Sequence, residues 1–527
     1  MPGTGARSTG RAASTGMNPA IEIRSPATGE LVGSVPDLDA AAVGALVARA
    51  RAAQPAWRAV PLAERARLLL RYRDRLVARA DEVAELSSRE TGKLIGEALL
   101  TDVLGTAGVA QWSATRAVPV LGKRRVPSGF LVTKRSYVVR EPYGVIGIIS
   151  PWNWPVLNAM RAVLPAMVAG NTVVLKPSEV SPLSALLQKQ IADEAGWPAE
   201  AFLIATGGGA AGEALVSAAV DKVSFTGSVE TGRRIARMAA ERLLPVSLEL
   251  GGKDAAIVLE GADLERAASA ITAGAFWNAG QICTSLERAY VQDSVYDRFI
   301  ELVVRATERL RVGSGEAADV GCITTAAQLE KIDAQVSDAL ARGARVLAGG
   351  RRSADPGRYY SPTVLVDVTP EMEIMREETF GPVLPVVRVR DAAEAVRLAN
   401  DTRFGLGSSI WGPPVVAESL VHELRAGMTS VNDALLNALA PALPFGGIGE
   451  SGTGRVHGDD GLREMSWSRA VMVDRAGLPD VAMLYPMDRL GRDGMLGAVR
   501  LFAGRGGMRL AGLWQLLRRL PRLWRHH

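Results

Sequence analysis

The chain has 527 residues, of which 48% are hydrophobic and 55 are glycine, enough for about two to four domains and typical of a globular α/β protein. Its net charge of +5 is unevenly placed, because residues 500–527 contain seven arginines and no acidic residue. The rest of the chain therefore carries 5 − 7 = −2, which gives no support for nucleic-acid binding.

The N-terminal part of the chain mixes a polar leader with helical and strand-like patterns. Residues 1–19 are rich in Gly, Ala, Ser and Arg and lack the apolar core of a signal peptide, which predicts a disordered leader. Helical periodicity runs from Ala40 to Leu99. The alternating stretch Phe130–Arg140 predicts an exposed hairpin arm, and Ala470–Val473 predicts a second such strand. Edge strands of this kind invite pairing with another subunit.

The middle of the chain alternates short β-rich runs with helical patterns at intervals of roughly 20–30 residues. This alternation predicts a parallel, doubly wound sheet, followed after Gly251 by a second α/β lobe. The predicted strands of the first lobe are Val145–Ile149, Thr172–Leu175, Phe202–Ala205, Val223–Phe225 and Val246–Leu250, and its helices are Val156–Ala169, Pro182–Ala195 and Ser228–Arg242. Further helices are predicted at Leu264–Ala275 and Val295–Val312, with strands up to Val431. No apolar run reaches the roughly 18 residues that indicate a membrane-spanning helix.

Cysteine and histidine are rare, with two and four residues respectively. So few cysteines argue against a secreted scaffold held by disulfides and favour a reducing, cytoplasmic location. No histidine stands at zinc-ligand spacing with a cysteine, so we expect no metal site. Cys322, in VGCITT, has no supporting context and is interpreted as apolar filler.

Cys283, in GQICTS, has polar companions that could support nucleophilic chemistry. Taken alone, a cysteine is more often buried filler than a nucleophile. Glu249, in LELGGK 34 residues upstream, ends a strand-like run and suits a general base, with a surface salt bridge as the alternative. Asn153, in SPWNWP, lies in a turn fixed by two prolines and two tryptophans. Its amide could donate to an oxyanion, with a helix N-cap as the alternative.

Two motifs directly follow predicted strands, where open α/β sheets bind nucleotides: KPSE at Lys176–Glu179 and FTGS at Phe225–Ser228. The second begins a helix whose N–H groups and dipole favour a pyrophosphate, and the first offers side chains for ribose hydroxyls. A formal G-x-G-x-x-G at residues 207–212 carries little weight in a Gly-rich chain and is interpreted as a turn.

Together these residues resemble the aldehyde dehydrogenase superfamily of the NAD(P)-dependent, hydrolytic type. The resemblance covers roughly residues 20–475, including the 34-residue gap from Glu249 to Cys283. Seven signature blocks occur in order: PWNWP at 151–155, KPSE at 176–179, FTGS at 225–228, ELGGK at 249–253, GQIC at 280–283, EETFGPV at 377–383 and PFGG at 444–447.

The fold implied by this resemblance is an aldehyde dehydrogenase-like α/β fold. It comprises a Rossmann-type, doubly wound NAD-binding domain (20–127 and 147–250) and an α/β catalytic domain (251–465). A small β oligomerisation arm (128–146 and 466–475) would assemble the chain into a dimer or tetramer. Residues 476–527 lie beyond the usual family end and form a basic amphipathic tail.

The resemblance also implies roles for individual residues. The thiolate of Cys283 attacks the aldehyde carbon, the amide of Asn153 and the backbone N–H of Cys283 hold the oxyanion, and Glu249 activates the water that hydrolyses the thioester. Lys176 and Glu179 would bind the adenosine ribose, and Glu378 the nicotinamide ribose. The implied cofactor-binding residues are Trp152, Lys176, Ser178, Glu179, Phe225, Thr226, Gly227, Ser228, Leu250, Gly251, Glu378 and Phe380.

Glu179 bears on the choice of cofactor. A carboxylate beside the ribose 2′-hydroxyl accepts a hydrogen bond but repels a 2′-phosphate, so NAD is favoured and NADP stays possible. One position departs from the family pattern: many members carry a lysine nine residues after the oxyanion asparagine, where this chain has Ala162. Any proton relay through that lysine is absent.

The substrate tunnel is implied by position in the family pattern. Its lining residues are Trp154, Leu157, Asn158, Arg161, Trp277, Ile282, Thr284, Leu439 and Phe445. Most are apolar or aromatic, which favours a medium or long aliphatic or an aromatic aldehyde. Arg161 occupies a place where some succinate-semialdehyde dehydrogenases bind a carboxylate, but the second arginine that those enzymes use is here Trp277. A solvent-facing Arg161 is the simpler interpretation, and succinate-semialdehyde oxidation stays an alternative.

The tail from Met495 interleaves Leu, Trp and Phe with Arg at near-helical spacing, and Gly504, Gly506, Gly507 and Pro521 would interrupt a long helix. Its apolar face is predicted to dock on the body of the protein or on a neighbouring subunit. Peripheral contact with an anionic membrane is the competing interpretation, and it would favour lipophilic aldehydes.

The sequence thus predicts NAD-dependent oxidation of a small-molecule aldehyde to a carboxylic acid. Two rivals come from other classes of protein: a CoA-acylating aldehyde dehydrogenase, which typically lacks the general-base glutamate, and a non-catalytic membrane-surface protein. The presence of Glu249 argues against the first, and the joint presence of Cys283, Glu249 and Asn153 argues against the second.

Overall fold

The structure is a computed structural model that describes residues 20–353, 357–474 and 489–518. As far as they are described, these residues divide into two units, one of residues 20–121 and 142–467 and the other of residues 122–141 and 468–518. The leader predicted for residues 1–19 lies outside the described residues. So do residues 475–488 and 519–527, with the predicted break at Pro521.

The described strands and helices are numbered in chain order. The strands are β1 (Ile21–Arg24), β2 (Leu31–Val35), β3 (Arg124–Val126), β4 (Lys134–Pro142), β5 (Val145–Ile149), β6 (Thr172–Lys176), β7 (Phe202–Ile204), β8 (Lys222–Thr226), β9 (Val246–Glu249), β10 (Asp254–Val258), β11 (Leu286–Gln292), β12 (Arg345–Ala348), β13 (Thr363–Val366), β14 (Val383–Val389), β15 (Gly407–Trp411), β16 (Met428–Val431), β17 (Gly452–Thr453) and β18 (Ser466–Asp474). The α-helices are α1 (Ala40–Ala59), α2 (Leu62–Ala78), α3 (Ala80–Thr91), α4 (Ile95–Ala98), α5 (Thr106–Leu121), α6 (Pro155–Ala169), α7 (Pro182–Glu194), α8 (Gly209–Ser217), α9 (Val229–Ala240), α10 (Leu264–Phe276), α11 (Asp293–Glu308), α12 (Ala326–Ala341), α13 (Glu373–Arg376), α14 (Ala392–Ala399), α15 (Pro414–Ser419), α16 (Gly458–Glu464), α17 (Arg489–Ala503) and α18 (Gly507–Leu517).

Short helical turns complete the described secondary structure. A π-helical turn spans Leu99–Gly105, and 3₁₀ turns span Ala199–Ala201, Trp277–Gly280, Val421–Glu423, Leu436–Leu439 and Gly449–Ser451. The helical periodicity predicted for Ala40–Leu99 corresponds to α1–α4. Within the described ranges, no helix is both long and apolar enough to cross a membrane.

A six-stranded sheet has the order β17-β9-β8-β5-β6-β7, in which β5–β9 pair in parallel and β17 pairs antiparallel to β9. Every residue of β5 (VIGII) and β6 (TVVLK) is buried, as expected for strands covered on both faces. The chain runs from β5 outward to β7 and then returns to β8 on the other side of β5. The strand order therefore reverses between β5 and β8, which is where open α/β sheets bind ligands.

A seven-stranded sheet forms the second lobe, with the order β12-β13-β14-β11-β10-β15-β16. All its pairs are parallel except β12–β13. Its core is rich in Val, Ile and Ala from β10, β11 and β14, packed against α10, α11 and α12. The second α/β lobe predicted from the sequence thus has a sheet of its own. Four residues separate the end of β9 from the start of β10.

The other unit contains the three-stranded sheet β18-β4-β3 together with α17 and α18. The strand predicted at Phe130–Arg140 begins only at Lys134, so the predicted start was wrong. The cause is a turn, in which the N–H of Leu131 donates to the carbonyl of Ser128 (3.1 Å) and that of Lys134 to the carbonyl of Leu131 (2.9 Å). Residues 145 and 146, which we assigned to the arm, lie in β5 of the six-stranded sheet.

Candidate active site

The loop that carries Cys283 follows three consecutive residues with positive φ: Asn278 (51°), Ala279 (53°) and Gly280 (70°). Only glycine fits the third position, because a Cβ there would overlap the carbonyl oxygen of Gly381. The carboxylate of Glu97 accepts the N–H of Asn278 (2.7 Å). Such a left-handed turn is costly for non-glycine residues, and it marks a segment that its surroundings hold in place.

Cys283 is partly exposed and packs against a small apolar cluster. Members of this cluster are Leu406, Met428, Ala438, Phe445 and Val456. Burial of the thiol raises its pKa to about 12; the charge of Arg161 lowers it, and the carboxylates of Glu378, Asp254 and Glu249 raise it further. The sulfur is therefore a neutral thiol near pH 7 and needs a base to become a nucleophile.

Asn153 lies just before α6 and is held from three directions. Its side-chain amide donates to the carbonyl of Gln281 (3.0 Å), two residues before the cysteine, and its side-chain oxygen accepts from Asn158 (2.9 Å). Its backbone carbonyl accepts from the amide of Asn278 (3.2 Å). The alternative that Asn153 caps the helix is wrong, because the N-cap residue is Trp154.

The start of α6 is held by a buried ion pair that the sequence reasoning missed. Asp102, in the π-helical turn, accepts the N–H groups of Val156 and Leu157 (both 3.2 Å) and the ammonium of Lys93 (2.8 Å). Both charged side chains are fully buried. An aspartate inside the otherwise apolar run LLTDVLG was the available signal.

Glu249 ends β9, and its residue surface is 3% exposed. Neither carboxylate oxygen has a hydrogen-bond partner among the described residues. Burial raises its pKa to about 8, while the charges of Arg161 and Arg455 lower it. The alternative that Glu249 forms a surface salt bridge is wrong, and its raised pKa is suited to a general base.

Arg161 is fully buried, so the interpretation that it faces solvent was wrong. The reason is that α6 is covered on every side: all of its residues are buried. Its guanidinium lies 4.4 Å from the centre of the Phe445 ring, and its three nitrogens have no hydrogen-bond partner in the described part of the chain. Its charge acts on the pKa of both Cys283 and Glu249, which brings these three residues into one site.

His457 was not predicted as a site residue, although histidine is rare in this chain. Its ring lies 5.9 Å from that of Phe445, and both ring nitrogens lack partners among the residues described. Burial and the charge of Arg161 lower its pKa to about 3, so the imidazole is neutral. The ring therefore adds a neutral hydrogen-bond donor and acceptor beside Phe445 and Arg161.

The predicted cofactor residues of the first lobe lie at the carboxyl ends of β5, β6, β8 and β9, at one edge of the six-stranded sheet. The ammonium of Lys176 lies 3.1 Å from the carboxylate of Glu179. Ser228 caps α9 by accepting the N–H of Thr231 (3.3 Å). A paired ammonium and carboxylate beside a helix N-terminus fit the ribose and pyrophosphate of a dinucleotide. The motif at residues 207–212 lies elsewhere: its first two residues are in the turn after β7 and its last four begin α8, so the interpretation as a turn holds only for its start.

Glu378 and Phe380 reach this edge from the loop before β14. The N–H of Gly252 donates to Glu378 (3.0 Å), and the Phe380 ring meets that of Trp152 edge-on at 5.6 Å. Burial, with the nearby charge of Glu287, raises the pKa of Glu378 to about 7.

Glu287, which sequence reasoning missed, fixes this loop. Its carboxylate accepts the N–H groups of Thr379 and Phe380 (both 2.7 Å) and the ammonium of Lys253 (2.6 Å). The sequence offered one signal for this ion pair: Lys253 directly follows the two glycines of the ELGGK block, beside the predicted site.

The predicted substrate residues gather around the same place. Trp154, Leu157 and Ile282 belong to one buried cluster, against which Trp277 and Leu439 pack. Thr284 is buried, and its hydroxyl has no partner within the described ranges. Trp277 also borders three cavities, of about 570, 780 and 300 Å³. Leu100 lines the first two, Leu436 lines the first and third, and the first adds Phe276 and Leu310.

Known proteins resemble this chain closely. A model of the aldehyde dehydrogenase family matches residues 12–471. A 4,4'-diapolycopene aldehyde oxidase from Methylomonas sp is 38% identical over 490 residues, covering 92% of this chain and 91% of the relative. A glutarate-semialdehyde dehydrogenase from Pseudomonas aeruginosa is 38% identical over 450 residues, covering 84% and 92%.

Solved structures agree with these relatives. The crystal structure of an NAD-dependent aldehyde dehydrogenase from Sinorhizobium meliloti is similar with a TM-score of 0.84 and 38% identity, over 88% of this chain and 92% of that one. A succinate-semialdehyde dehydrogenase from Burkholderia pseudomallei has a TM-score of 0.84 and 35% identity, over 87% and 95%.

Proposed function

This chain belongs to the aldehyde dehydrogenase family and oxidises an aldehyde with a nicotinamide dinucleotide, and on that premise we propose that Cys283, Glu249 and Asn153 carry the reaction. The observation that supports this most is Glu249: a buried carboxylate that accepts no hydrogen bond from any described residue and that, like the thiol of Cys283, is influenced by the charge of Arg161. Such an arrangement costs stability and is expected where a group must act as a base.

The proposed reaction begins when Glu249 takes the proton of the Cys283 thiol. The thiolate then forms a bond with the aldehyde carbon, and the oxygen of the resulting thiohemiacetal accepts from the amide of Asn153 and the backbone N–H of Cys283. Loss of hydride from that carbon gives a thioester. Glu249 first passes the thiol proton to solvent and then takes a proton from a water molecule, whose oxygen attacks the thioester carbon. The C–S bond breaks, the acid leaves, and Glu249 returns its proton to the sulfur of Cys283.

The dinucleotide accepts the hydride when it is bound. We propose that Lys176 and Glu179 hold its adenosine ribose, that the first turn of α9 faces its pyrophosphate, and that Glu378 binds its second ribose. The carboxylate of Glu179 favours NAD over NADP. In this proposal the six-stranded sheet forms the cofactor domain and the seven-stranded sheet the catalytic domain.

The substrate we propose is an apolar aldehyde of medium or greater length. The apolar residues beside Cys283 and the cavities bordering Trp277 support this, since Leu100 and Leu436 add exposed apolar surface there. The relative from Methylomonas is named for a diapolycopene aldehyde, which fits the same class. Apolar side chains along the route to Cys283 would favour such substrates, because an apolar aldehyde gains free energy when it leaves water.

A semialdehyde is the second candidate, because Arg161 is a buried cation whose nitrogens have no hydrogen-bond partner among the described residues. A substrate carboxylate would supply the missing hydrogen bonds and charge. The relatives named for glutarate and succinate semialdehyde agree with this alternative. The experiment measures NADH formation with four substrates: decanal, hexanal, benzaldehyde and succinic semialdehyde. It compares the wild type with Arg161→Met and with Arg75→Met, a control that removes an exposed arginine.

We expect the highest kcat/KM with decanal and a small effect of Arg161→Met on that value. A preference for succinic semialdehyde that Arg161→Met abolishes, and Arg75→Met does not, would replace the apolar substrate by the semialdehyde. Acid formation without added CoA is expected in both cases. A requirement for CoA would instead identify a CoA-acylating enzyme.

We further propose that the three-stranded sheet pairs with another copy of the chain through its edge strand β18, giving a dimer or tetramer. In this sheet β4 is the central strand and β18 lies at the edge. The expected cytoplasmic location also stays a prediction. Light scattering of the purified chain would give the number of copies, and a monomeric mass would contradict the proposed assembly.

A further inference from the structure

Two helices at the C-terminal end, α17 and α18, pack tightly on each other and are joined by residues 504–506; we call them the C-terminal hairpin. The predicted interruption at these glycines is where the chain turns. The helices meet through glycines: a Cβ at Gly512 would lie 2.5 Å from the carbonyl oxygen of Gly497, and one at Gly497 would lie 2.8 Å from the Cβ of Gln515. Small residues at such a contact let two backbones approach closely, as is common for helices in lipid.

The large apolar side chains of the hairpin point outward. Those exposed are Leu496, Val499, Phe502, Met508, Leu510, Leu513, Trp514 and Leu517. Leu510 is 73% and Trp514 57% exposed. A helix pair in water normally buries such residues between its helices, whereas here glycine takes that place. So many exposed apolar side chains are unfavourable in water, and we name them the apolar surface of the hairpin; they mark an interaction site. The docking predicted from the sequence stays a prediction.

The hairpin is also basic. From Arg489 to Arg518 its sequence carries six arginines, Arg489, Arg492, Arg500, Arg505, Arg509 and Arg518, against a single acid, Asp493. The guanidinium of Arg518 stacks 3.5 Å from the centre of the Trp514 ring. Arginine and tryptophan beside leucine are typical of helices that lie at an anionic lipid surface.

The turn at residues 128–134 extends the same surface. The ring of Phe130 lies 6.2 Å from that of Phe502, and Phe130 and Val132 are both exposed. The helices have 15 and 11 residues, fewer than the roughly 20 needed to span a bilayer. Contact with lipid would therefore be lateral, with the helices lying in the interface.

We propose that the C-terminal hairpin, together with Phe130 and Val132, binds the surface of an anionic lipid bilayer. A second copy of the chain fits less well, because a symmetric contact through this surface would bring its arginines against those of the other copy. Lipid phosphates instead complement the arginines, and acyl chains accept the leucines. The proposal goes beyond the proposed catalytic function and does not depend on any catalytic residue.

The test is sedimentation of the full-length protein with lipid vesicles, read as the bound fraction at increasing lipid concentration. We expect binding to vesicles of phosphatidylcholine with phosphatidylglycerol at low salt. Binding should be weaker by about tenfold or more on pure phosphatidylcholine or at high salt, because the attraction between the arginines and lipid is screened.

Three double variants define which surface binds. Leu510→Ser with Trp514→Ser removes apolar contacts, and Arg505→Glu with Arg509→Glu reverses two charges; each should lower binding by about tenfold or more. The matched control is Leu243→Ser with Val415→Ser, which removes two apolar side chains that are 91% and 83% exposed elsewhere. It should bind like wild type. Circular dichroism and oxidation of a water-soluble aldehyde would check that each variant is folded.

Absence of sedimentation with anionic vesicles would overturn the proposal. So would equal binding of all three variants. If the Leu510/Trp514 variant changed the mass of the protein in light scattering and left vesicle binding unaltered, the hairpin would be an interface between copies of the chain and not a lipid-binding surface.

Discussion

Two buried cations beside α6 have opposite surroundings. Lys93 is fully paired: its ammonium lies 2.8 Å from Asp102, which also binds the first N–H groups of the helix. Arg161, on the helix itself, is equally buried and has no hydrogen-bond partner among the described residues. A buried charge without a partner is costly. The comparison separates charges that hold the scaffold in place from charges left free at the candidate site.

The buried carboxylates show the same contrast. Glu287 accepts two backbone N–H groups and the ammonium of Lys253, and it fixes the loop that carries Glu378. Glu249 accepts no hydrogen bond from any described residue. Glu287 is thus saturated with hydrogen bonds, whereas the oxygens of Glu249 are left for molecules that enter the candidate site.

The largest expected effect tests the unsaturated carboxylate. Glu249→Gln should lower steady-state acid formation by roughly 10²–10⁴-fold, because the amide cannot take a proton from water. A single burst of NADH per active site is expected if another base can still deprotonate the thiol. The measurement is NADH release over time, with Glu85→Gln on the exposed face of α3 as the control. Turnover at the wild-type rate would contradict the proposed base.

The next largest effect concerns the saturated cation. Lys93→Met leaves the carboxylate of Asp102 buried without its counter-ion, so the free energy of unfolding should fall by about 3–5 kcal/mol. Urea unfolding followed by fluorescence would measure it. The exposed change Arg75→Met provides the reference, and an equal effect of both variants would remove the distinction between the two buried cations.

Arg161→Met is the matching change at the unsaturated cation. It replaces an unpartnered charge by an apolar side chain of similar length, so the free energy of unfolding should stay constant or rise by about 1–4 kcal/mol. The same urea experiment applies. Destabilisation as large as that of Lys93→Met would mean that Arg161 holds the fold together and is not a group of the site.

The smallest expected effect is the pH dependence of hydrolysis. The pKa of Glu249 is raised to about 8, so its base form is present above pH 8 and is lost as the pH falls. The rate of acid formation should increase about tenfold between pH 7 and pH 9. The raised pKa also affects stability. Between about pH 4.5 and pH 8 the carboxyl of Glu249 is ionised in the unfolded chain but still protonated in the folded protein, so the free energy of unfolding falls as the pH rises through this range. A flat pH–rate profile would contradict this assignment.

Much of the fold could be predicted because its signals are local. Continuous β-rich runs separated by helical patterns located β5 to β9 and the helices α6, α7 and α9 to within a few residues, whereas α8 was not predicted. The strand predicted from Phe130 begins too early, because the alternation of apolar and polar residues continues through the turn at residues 128–134. The backbone hydrogen bonds that form this turn leave no periodic signal in the sequence.

The candidate site divides in the same way. Glu249 and Asn153 were singled out because they end or follow a strand-like run, and Cys283 because of these companions; their catalytic roles stay predictions. The position of Arg161 was misjudged, although the nearly unbroken apolar sequence of α6 indicates a helix buried on all sides. The partners Asp102 and Glu287 come from distant segments, and their pairing depends on tertiary packing that no local pattern records.

One contact has a further consequence for how the enzyme moves. Gly280, three residues before Cys283, approaches the backbone of Gly381 so closely that a Cβ would overlap its carbonyl. The loop with Cys283 and the loop with Glu378 and Phe380 therefore touch directly, without a layer of side chains that could absorb a shift. We therefore expect a shift of either loop to move the other, so that a rearrangement of the loop with Glu378 is transmitted to the sulfur of Cys283.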